Sequence, residues 1–475
     1  MSSAIIWILF PLALSVITLF LRKWEKIVTI ITIIVTIGLA WLAWQAPMGE
    51  LFRVGTFTIT LEESYNFLGR RLELQATDAP ALVFIYLGVA FWLGGSLVAK
   101  VRRIFVSAGL AVSALLTAAI AVEPFLYAAL IIELVVFICV GLLAEPGKQI
   151  APGALRFLTL QTLGLPFILF AGWLLAGVES SPEDSVRIVQ ASLMLAFGFA
   201  LLLAIFPFHT WIPMLAEDAH PYTVAFVLYL LPIEIILLGI GFLDQYSWLR
   251  DQIEVSRLIQ VAGVLMVVTG GLFAIFQNHL GRILGFAVIL EIGVTLLAVG
   301  AVTKQQADFS MLSITFTQFL PRGLELGVWS LSLVVLNGYL EGNVDGLRFR
   351  NIQGAARRFP IASLCLVIAQ LSLVGFPLLA GFPAHRELWL GLASVSPLIA
   401  ITAMLGYIGM LFVTLRTMAV LVMGPTETGW QISENWSQIS LLALGGLGIV
   451  LIGIFPQFFL PLLSTMTELF PNLGL

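Results

Sequence analysis

Apolar runs of membrane-spanning length return along the whole chain, at 4–21, 27–45, 79–99, 104–122, 124–144, 155–176, 187–207, 222–243, 257–277, 281–302, 308–339, 359–384, 395–424 and 438–462. That pattern leaves few folds open. A helix rises ~1.5 Å per residue, so about 20 residues cross the ~30 Å hydrocarbon layer of a bilayer. Each backbone N–H and C=O is then bonded within its own helix, as lipid requires. The runs predict an all-α polytopic membrane protein with about 14 transmembrane helices, a single membrane domain over 1–475. Of 475 residues, 60% are hydrophobic and 11% charged, against roughly 25% charged in soluble domains. The expected surrounding is a lipid bilayer, that of a bacterial plasma membrane.

Several function classes fall away. A net charge of −4 and the lack of a dense Lys/Arg cluster argue against nucleic-acid binding. Cys139 and Cys365 lie inside apolar runs without metal-ligand spacing, so they are expected to be core thiols rather than disulfide, zinc or iron–sulfur partners. No glycine-rich nucleotide cradle occurs; no cofactor or metal is expected, and redox chemistry is not expected in this chain. The first run is long for a signal-peptide core, and its charges Arg22, Lys23 and Lys26 follow it, so it should remain as a span.

Most connections are short. The exception, 46–78, alternates polar and β-branched residues over Phe52–Thr60 and predicts a small hairpin on one membrane face. Loops after odd-numbered runs carry thirteen Lys and Arg and those after even-numbered runs seven, Lys148 counted in the first group and Lys304 in the second. The positive-inside rule then places the odd loops in the cytoplasm and both termini on the opposite side.

Ionisable residues deep in a span cost at least ~2.5–3.5 kcal/mol on insertion scales, so they face the bundle interior or a wet path. Glu133, Glu234 and Glu291 stand in mid-run without a same-helix partner. A carboxylate in low dielectric can hold and exchange a proton near neutrality, which points to a proton or ion pathway. A structural anchor bonded to a neighbouring helix is the other reading of each. Arg322 and Glu325, at i, i+3 spacing, can pair with one another, and such a pair needs no transport role. His385 follows the interrupted stretch GFPLLAGFPAH. One connected polar layer holding Glu133, Glu234, Glu291 and His385 is the expectation.

Prolines add a second signal. Pro207 ends the seventh run, and Pro377 with Pro383 interrupts the twelfth. Helices 7 and 12 are therefore expected to be broken, as in transporters that set half-helix ends at membrane depth; a simple kink is the alternative. Phe206-Pro207-Phe208-His209 echoes Phe382-Pro383-Ala384-His385, and a mid-run Glu precedes each break. Two five-helix repeats follow, 104–243 and 257–424. An odd number of helices per repeat inverts the second copy.

Three stretches carry a family resemblance. PFHTWIPMLAEDAHPYTVAF at 207–226 resembles PFHxWLPDAHxxAPTPVSA, GRILGFAVILEIG at 281–293 is similar to KRLLAYSSIxHxG, and SLVGFPLLAGFPAH at 372–385 to SLAGIPPLAGFxGK. These segments belong to the antiporter-like membrane subunits (M or N type) of proton-pumping NADH:quinone oxidoreductase, complex I, related to Mrp-type cation/proton antiporter subunits. The resemblance implies a proton-translocating subunit among other membrane subunits of a respiratory assembly, enzymatic only through that assembly. A subunit of a membrane-bound hydrogenase-like or Mrp-type complex, and a purely structural paralogue, remain alternatives.

The family carries a midplane line of buried polar residues. By resemblance, Glu133 matches its fifth-helix Glu, Arg322 falls where QFLPR resembles HALFK, and His385 takes its twelfth-helix Lys position. There are departures. Leu202 stands where the seventh-helix Lys is expected, Glu234 where the eighth-helix Lys is, Glu291 at the tenth-helix His, and Met214 at the Asp of LPDAH. Without a Lys at 202, Glu133 lacks the cation the family pairs with it. Protons then move along a carboxylate-rich axis, or the first half-channel is silent.

Overall fold

The computed structural model describes residues 2–474 apart from 46–47, 49–50, 55–56, 68, 145–146, 148, 181–184, 251–252, 303–309, 340–343 and 425–431. Lys148 and Lys304 of the loop count lie outside the described residues. The chain is built of helices. In order they are α1 (Phe10–Phe20, entered by a π-helical turn at Ile5–Leu9), α2 (Glu25–Gln45), α3 (Ala79–Ala99), α4 (Phe105–Ala121), α5 (Ala128–Leu143), α6 (Pro152–Ser180) and α7 (Ser185–Leu202). Then come α8 (Trp211–Asp218), α9 (Pro221–Gln245), α10 (Ser247–Arg250), α11 (Ile253–Ile275), α12 (Leu280–Val302), α13 (Ser310–Thr317) and α14 (Phe319–Tyr339). The last are α15 (Pro360–Leu373), α16 (Gly381–Val395), α17 (Pro397–Val422), α18 (Trp436–Ile454) and α19 (Pro461–Ser464). Among the described residues, ten helices are long and apolar enough to cross a membrane, and four shorter apolar helices accompany them.

The 46–78 segment holds strands, as its alternation predicts. β1 (Leu51–Val54) pairs antiparallel with β2 (Phe57–Thr60), Phe52 opposite Ile59. β3 (Ser64–Phe67) pairs with β4 (Arg70–Glu73), which in turn pairs with β5 (Val122–Glu123). The last pairing ties the segment to the connection between α4 and α5.

Helix ends are closed by recognisable devices. Asn435 and Gln438 form a capping box at the start of α18, and proline stands in the first turn of α3, α9, α15 and α17, where its missing N–H has no helical acceptor to lose. Arg102 reaches the open carbonyls at the end of α5, donating to Gly141 O at 2.7 Å and to Ala144 O. Cationic donors are favoured there by the negative end of the helix.

Burial separates helices that composition cannot rank. The apolar window of α12 is wholly buried and those of α9 and α14 are 89% buried, whereas α6 and α18 bury only 28%. The inner helices form the core and the outer ones keep an exposed apolar face. Close approach without side chains draws α17 onto α11: a Cβ at Gly271 would sit 2.5 Å from Gly406 O. Such contacts between small residues let helix backbones approach in membranes.

Two helices end abruptly inside the bundle. Past α7, Ala204 N–H donates to Leu201 O (3.3 Å) and Ile205 N–H to Ala200 O (2.9 Å), with Ala204 at φ +55°. Past α15, Gly375 N–H donates to Ser372 O (2.8 Å) and Phe376 N–H to Leu371 O (3.0 Å), with Gly375 at φ +80°. These are the same left-handed cap, which satisfies carbonyls in the last helical turn. The caps align Ala204 with Gly375, so the match of Pro207 to Pro383 suggested by the sequence is displaced. Pro383 does not interrupt a helix: it is the third residue of α16, where a proline fits without cost.

Candidate functional site

Four helices converge on one buried cluster. α12 brings Glu291, α14 brings Arg322 and Glu325, α16 brings His385 and α17 brings Tyr407, all between 2% and 6% exposed. Arg322 Nη2 and Nε donate to Glu291 Oε2 at 2.6 and 2.9 Å. Nη2 also reaches Thr295 Oγ1 at 3.1 Å. The other carboxylate oxygen, Oε1, accepts from Tyr407 Oη at 2.9 Å. Tyr407 Oη in turn lies 2.7 Å from His385 Nε2, which is 3.7 Å from Glu291 Oε1. The imidazole stacks on Trp389. Glu291 thus has a guanidinium on one side and a phenol–imidazole pair on the other.

Arg322 does not pair with Glu325 as the i, i+3 spacing suggested. Its guanidinium crosses to α12, where two of its N–H groups converge on one carboxylate oxygen and a second acceptor, Thr295, is within reach. Glu325 faces α15 instead and accepts from Ser372 Oγ at 2.5 Å. Ser372 also accepts from Gly381 N–H at 3.1 Å. The hydroxyl thereby joins Glu325 to the first residue of α16, across the break that holds Pro377.

The remaining candidates stand apart. Glu133 on α5, 8% exposed, accepts from Thr162 Oγ1 of α6 at 2.6 Å. On the next turn of contact, Gln161 Nε2 donates to Leu202 O at 2.8 Å. The Leu202 side chain fills the slot against Gly164, where a Cβ would come within 2.9 Å of it. Glu234 on α9, 5% exposed, lines a cavity of about 380 Å³. Among the described residues no hydrogen bond or ion pair joins Glu133 or Glu234 to the Glu291 cluster. Met214 lies near Arg156, whose Nη1 is 3.1 Å from its Sδ.

Sequence reading missed Tyr407, Ser372 and Thr295. Each is an uncharged hydroxyl in an apolar helix, with nothing in the sequence to set it apart; Tyr407 follows Gly406, whose close approach to α11 only the structure reveals. Gln370, 1% exposed on α15, was also missed, and neither its Oε1 nor its Nε2 has a protein partner. Gln318 Nε2 and His385 Nδ1 are likewise unpartnered. Buried polar atoms of this kind normally bond water. No group of three or more His, Cys, Asp or Glu able to hold a metal ion occurs among the described residues.

Comparison with known proteins follows the same lines. The family model described as NADH:quinone oxidoreductase/Mrp antiporter, TM matches residues 173–412, just over half of the chain. NADH-quinone oxidoreductase subunit N of Psychrobacter arcticus is 27% identical over 290 residues, 60% of this chain and 56% of that protein. The chain thus spans a little over half the length of that relative. Two solved structures share the fold across nearly the full length of both chains. One is a chain of the membrane-bound sulfane sulfur reductase, an archaeal respiratory membrane complex, with TM-score 0.81 at 17% identity and 99% coverage of each chain. The other is a chain of the Mrp complex from Dietzia sp., with TM-score 0.80 at 15% identity, covering 99% of this chain and 98% of that one. With half its length under the family model and both broken helices inside that half, the chain belongs to the NADH:quinone oxidoreductase/Mrp antiporter family of membrane proteins.

Proposed function

We propose that this chain is a proton-translocating, antiporter-like subunit of a respiratory NADH:quinone oxidoreductase-type assembly, driven by redox chemistry in partner subunits. The observation that carries this is the Glu291–Arg322–Tyr407–His385 cluster, buried among helices of membrane-spanning length. With Arg322 already paired to Glu291, an imidazole 3.7 Å from the same carboxylate can take up a proton beside a negative charge rather than in apolar surroundings. The phenol of Tyr407 bridges imidazole and carboxylate, so a proton can pass when His385 Nε2–H gives its proton to Oη while Oη gives its own to Glu291 Oε1. Rotation of the new O–H then resets the bridge. Unpartnered atoms on Gln318, Gln370 and His385 are places where water would extend the path to either face.

In this reading the ten long helices and four shorter ones act together as fourteen spans, and 104–243 and 257–424 are inverted repeats. The recurring left-handed cap past α7 and α15 supports that symmetry. The loop charges favour both termini on the non-cytoplasmic side of a bacterial plasma membrane. A cation/proton antiporter subunit of the Mrp type is the second reading, because the matching family model spans both kinds of complex.

The test is Glu291→Gln in the assembled complex, reconstituted in vesicles. The proton-to-electron ratio should fall while NADH oxidation in the presence of an uncoupler persists. An unchanged ratio would remove the cluster from the path. Sodium-dependent proton movement without an electron donor would favour the second reading.

A further inference from the structure

Glu234 differs from Glu291 in what surrounds it. No hydrogen bond or ion pair to its carboxyl group occurs among the described residues, and its side chain lines the cavity of about 380 Å³. That cavity runs from Glu234 along the later half of α9 to the turn before α3, the end of α4 and the C-terminal segment. Glu73, Asp78, Glu123, Asp244 and Glu468 also line it, and no Lys or Arg does among the described residues. Three of these carboxylates are already engaged. Glu73 pairs with Arg71 at 3.0 Å, Asp78 accepts from the backbone N–H of Gln75 at 2.7 Å, and Asp244 accepts from the backbone N–H groups of Asn472 and Leu473 at 2.8 and 3.0 Å. The outer lining is nevertheless acidic, and it reaches solvent where Glu73 is half-buried and Glu123 is exposed.

A carboxyl group in a membrane span must find a partner or a wet cavity. The cavity supplies the second. A cleft lined by one sign of charge between low-dielectric walls concentrates counter-ions.

We propose that this cavity is a water-filled access path through which small cations, hydrated protons first among them, reach Glu234 from the face carrying β3–β5 and the C-terminal segment. The inference rests on reading the chain as an ion-translocating subunit. It adds that the first half of the molecule opens to that face, whereas Glu291 is enclosed by its own partners.

Side-specific thiol labelling tests the path without requiring turnover. In the assembled complex, with Cys139 and Cys365 replaced by Ala, Ala128→Cys and Leu238→Cys each place a thiol on the cavity wall. Ala225→Cys, buried elsewhere on α9, is the control. The probes are membrane-impermeant methanethiosulfonates, one carrying trimethylammonium and one sulfonate. Both lining cysteines should react from the strand-bearing face only, the cationic reagent at least about tenfold faster after correction for intrinsic reactivity. Glu123→Gln with Glu468→Gln should lower that preference several-fold. The small Ala128→Cys change keeps the test usable where Leu238→Cys fails to fold. Labelling from the opposite face alone, labelling no faster than the control, or equal rates for the two reagents would each overturn the proposal. Since labelling reads access alone, it can fail while Glu291→Gln still lowers pumping, and it can succeed where pumping is unaffected.

Discussion

The two halves of the molecule close a helix with the same left-handed cap and then surround their carboxylates differently. In the half that contains α15, Glu291 is gripped by Arg322 and Tyr407, with His385 adjoining. In the half that contains α7, the slot beside Gly164 holds Leu202, Glu133 has the hydroxyl of Thr162, and Glu234 faces an acidic cavity. Backbone architecture and charge arrangement are thus separable: a cap needs a left-handed residue and open carbonyls, and it is indifferent to which side chains titrate nearby. The second half surrounds its carboxylate with a cation, a phenol and an imidazole, whereas the first half offers Glu133 one hydroxyl and Glu234 a cavity.

The largest expected effect breaks the second half. Arg322→Met leaves Glu291 without its cation, and removing one partner of a buried pair costs about 3–5 kcal/mol. Thermal unfolding of the purified complex should show this as a large drop in the midpoint of this subunit. Adding Glu291→Leu should recover most of the loss, because apolar replacement of a whole buried pair is often neutral. A double variant as unstable as the single one would mean that Arg322 acts through packing.

A smaller contrast compares hydroxyls. Tyr407→Phe removes a hydrogen bond to a paired carboxylate, of the class worth roughly 1.5–3 kcal/mol. Thr162→Val on the first half should cost only about 0.6 kcal/mol, the usual value between membrane helices. Equal losses in chemical denaturation would erase the distinction drawn between the halves.

The caps themselves give opposite signs. Gly375→Ala places a Cβ at φ +80°, 3.2 Å from His385 Nδ1, and should cost about 1–2 kcal/mol. Ala204→Gly relieves a left-handed alanine at φ +55° and should stabilise by about 1 kcal/mol. Melting midpoints that move in the same direction would mean that the two caps are not equivalent.

The sequence alone determined the class of fold and the places where charge enters the membrane. Runs of about 20 apolar residues admit little besides spanning helices, because lipid offers no partner for backbone polar groups. A Glu or Arg inside such a run is visible without any structure, and so is a proline near a break. Which charges meet was decided by tertiary packing. Arg322 was legible as a buried cation, but its choice of Glu291 over Glu325 depends on the rotation of α14 against α12. Tyr407 entered the site because Gly406 lets α17 close on α11. The ranking of helices into core and lipid-facing was equally hidden, since a span is apolar on both sides and its periodicity carries little signal. In water the hydrophobic pattern reports burial; in a bilayer it reports only depth, and lateral contacts are left to packing and a few hydrogen bonds.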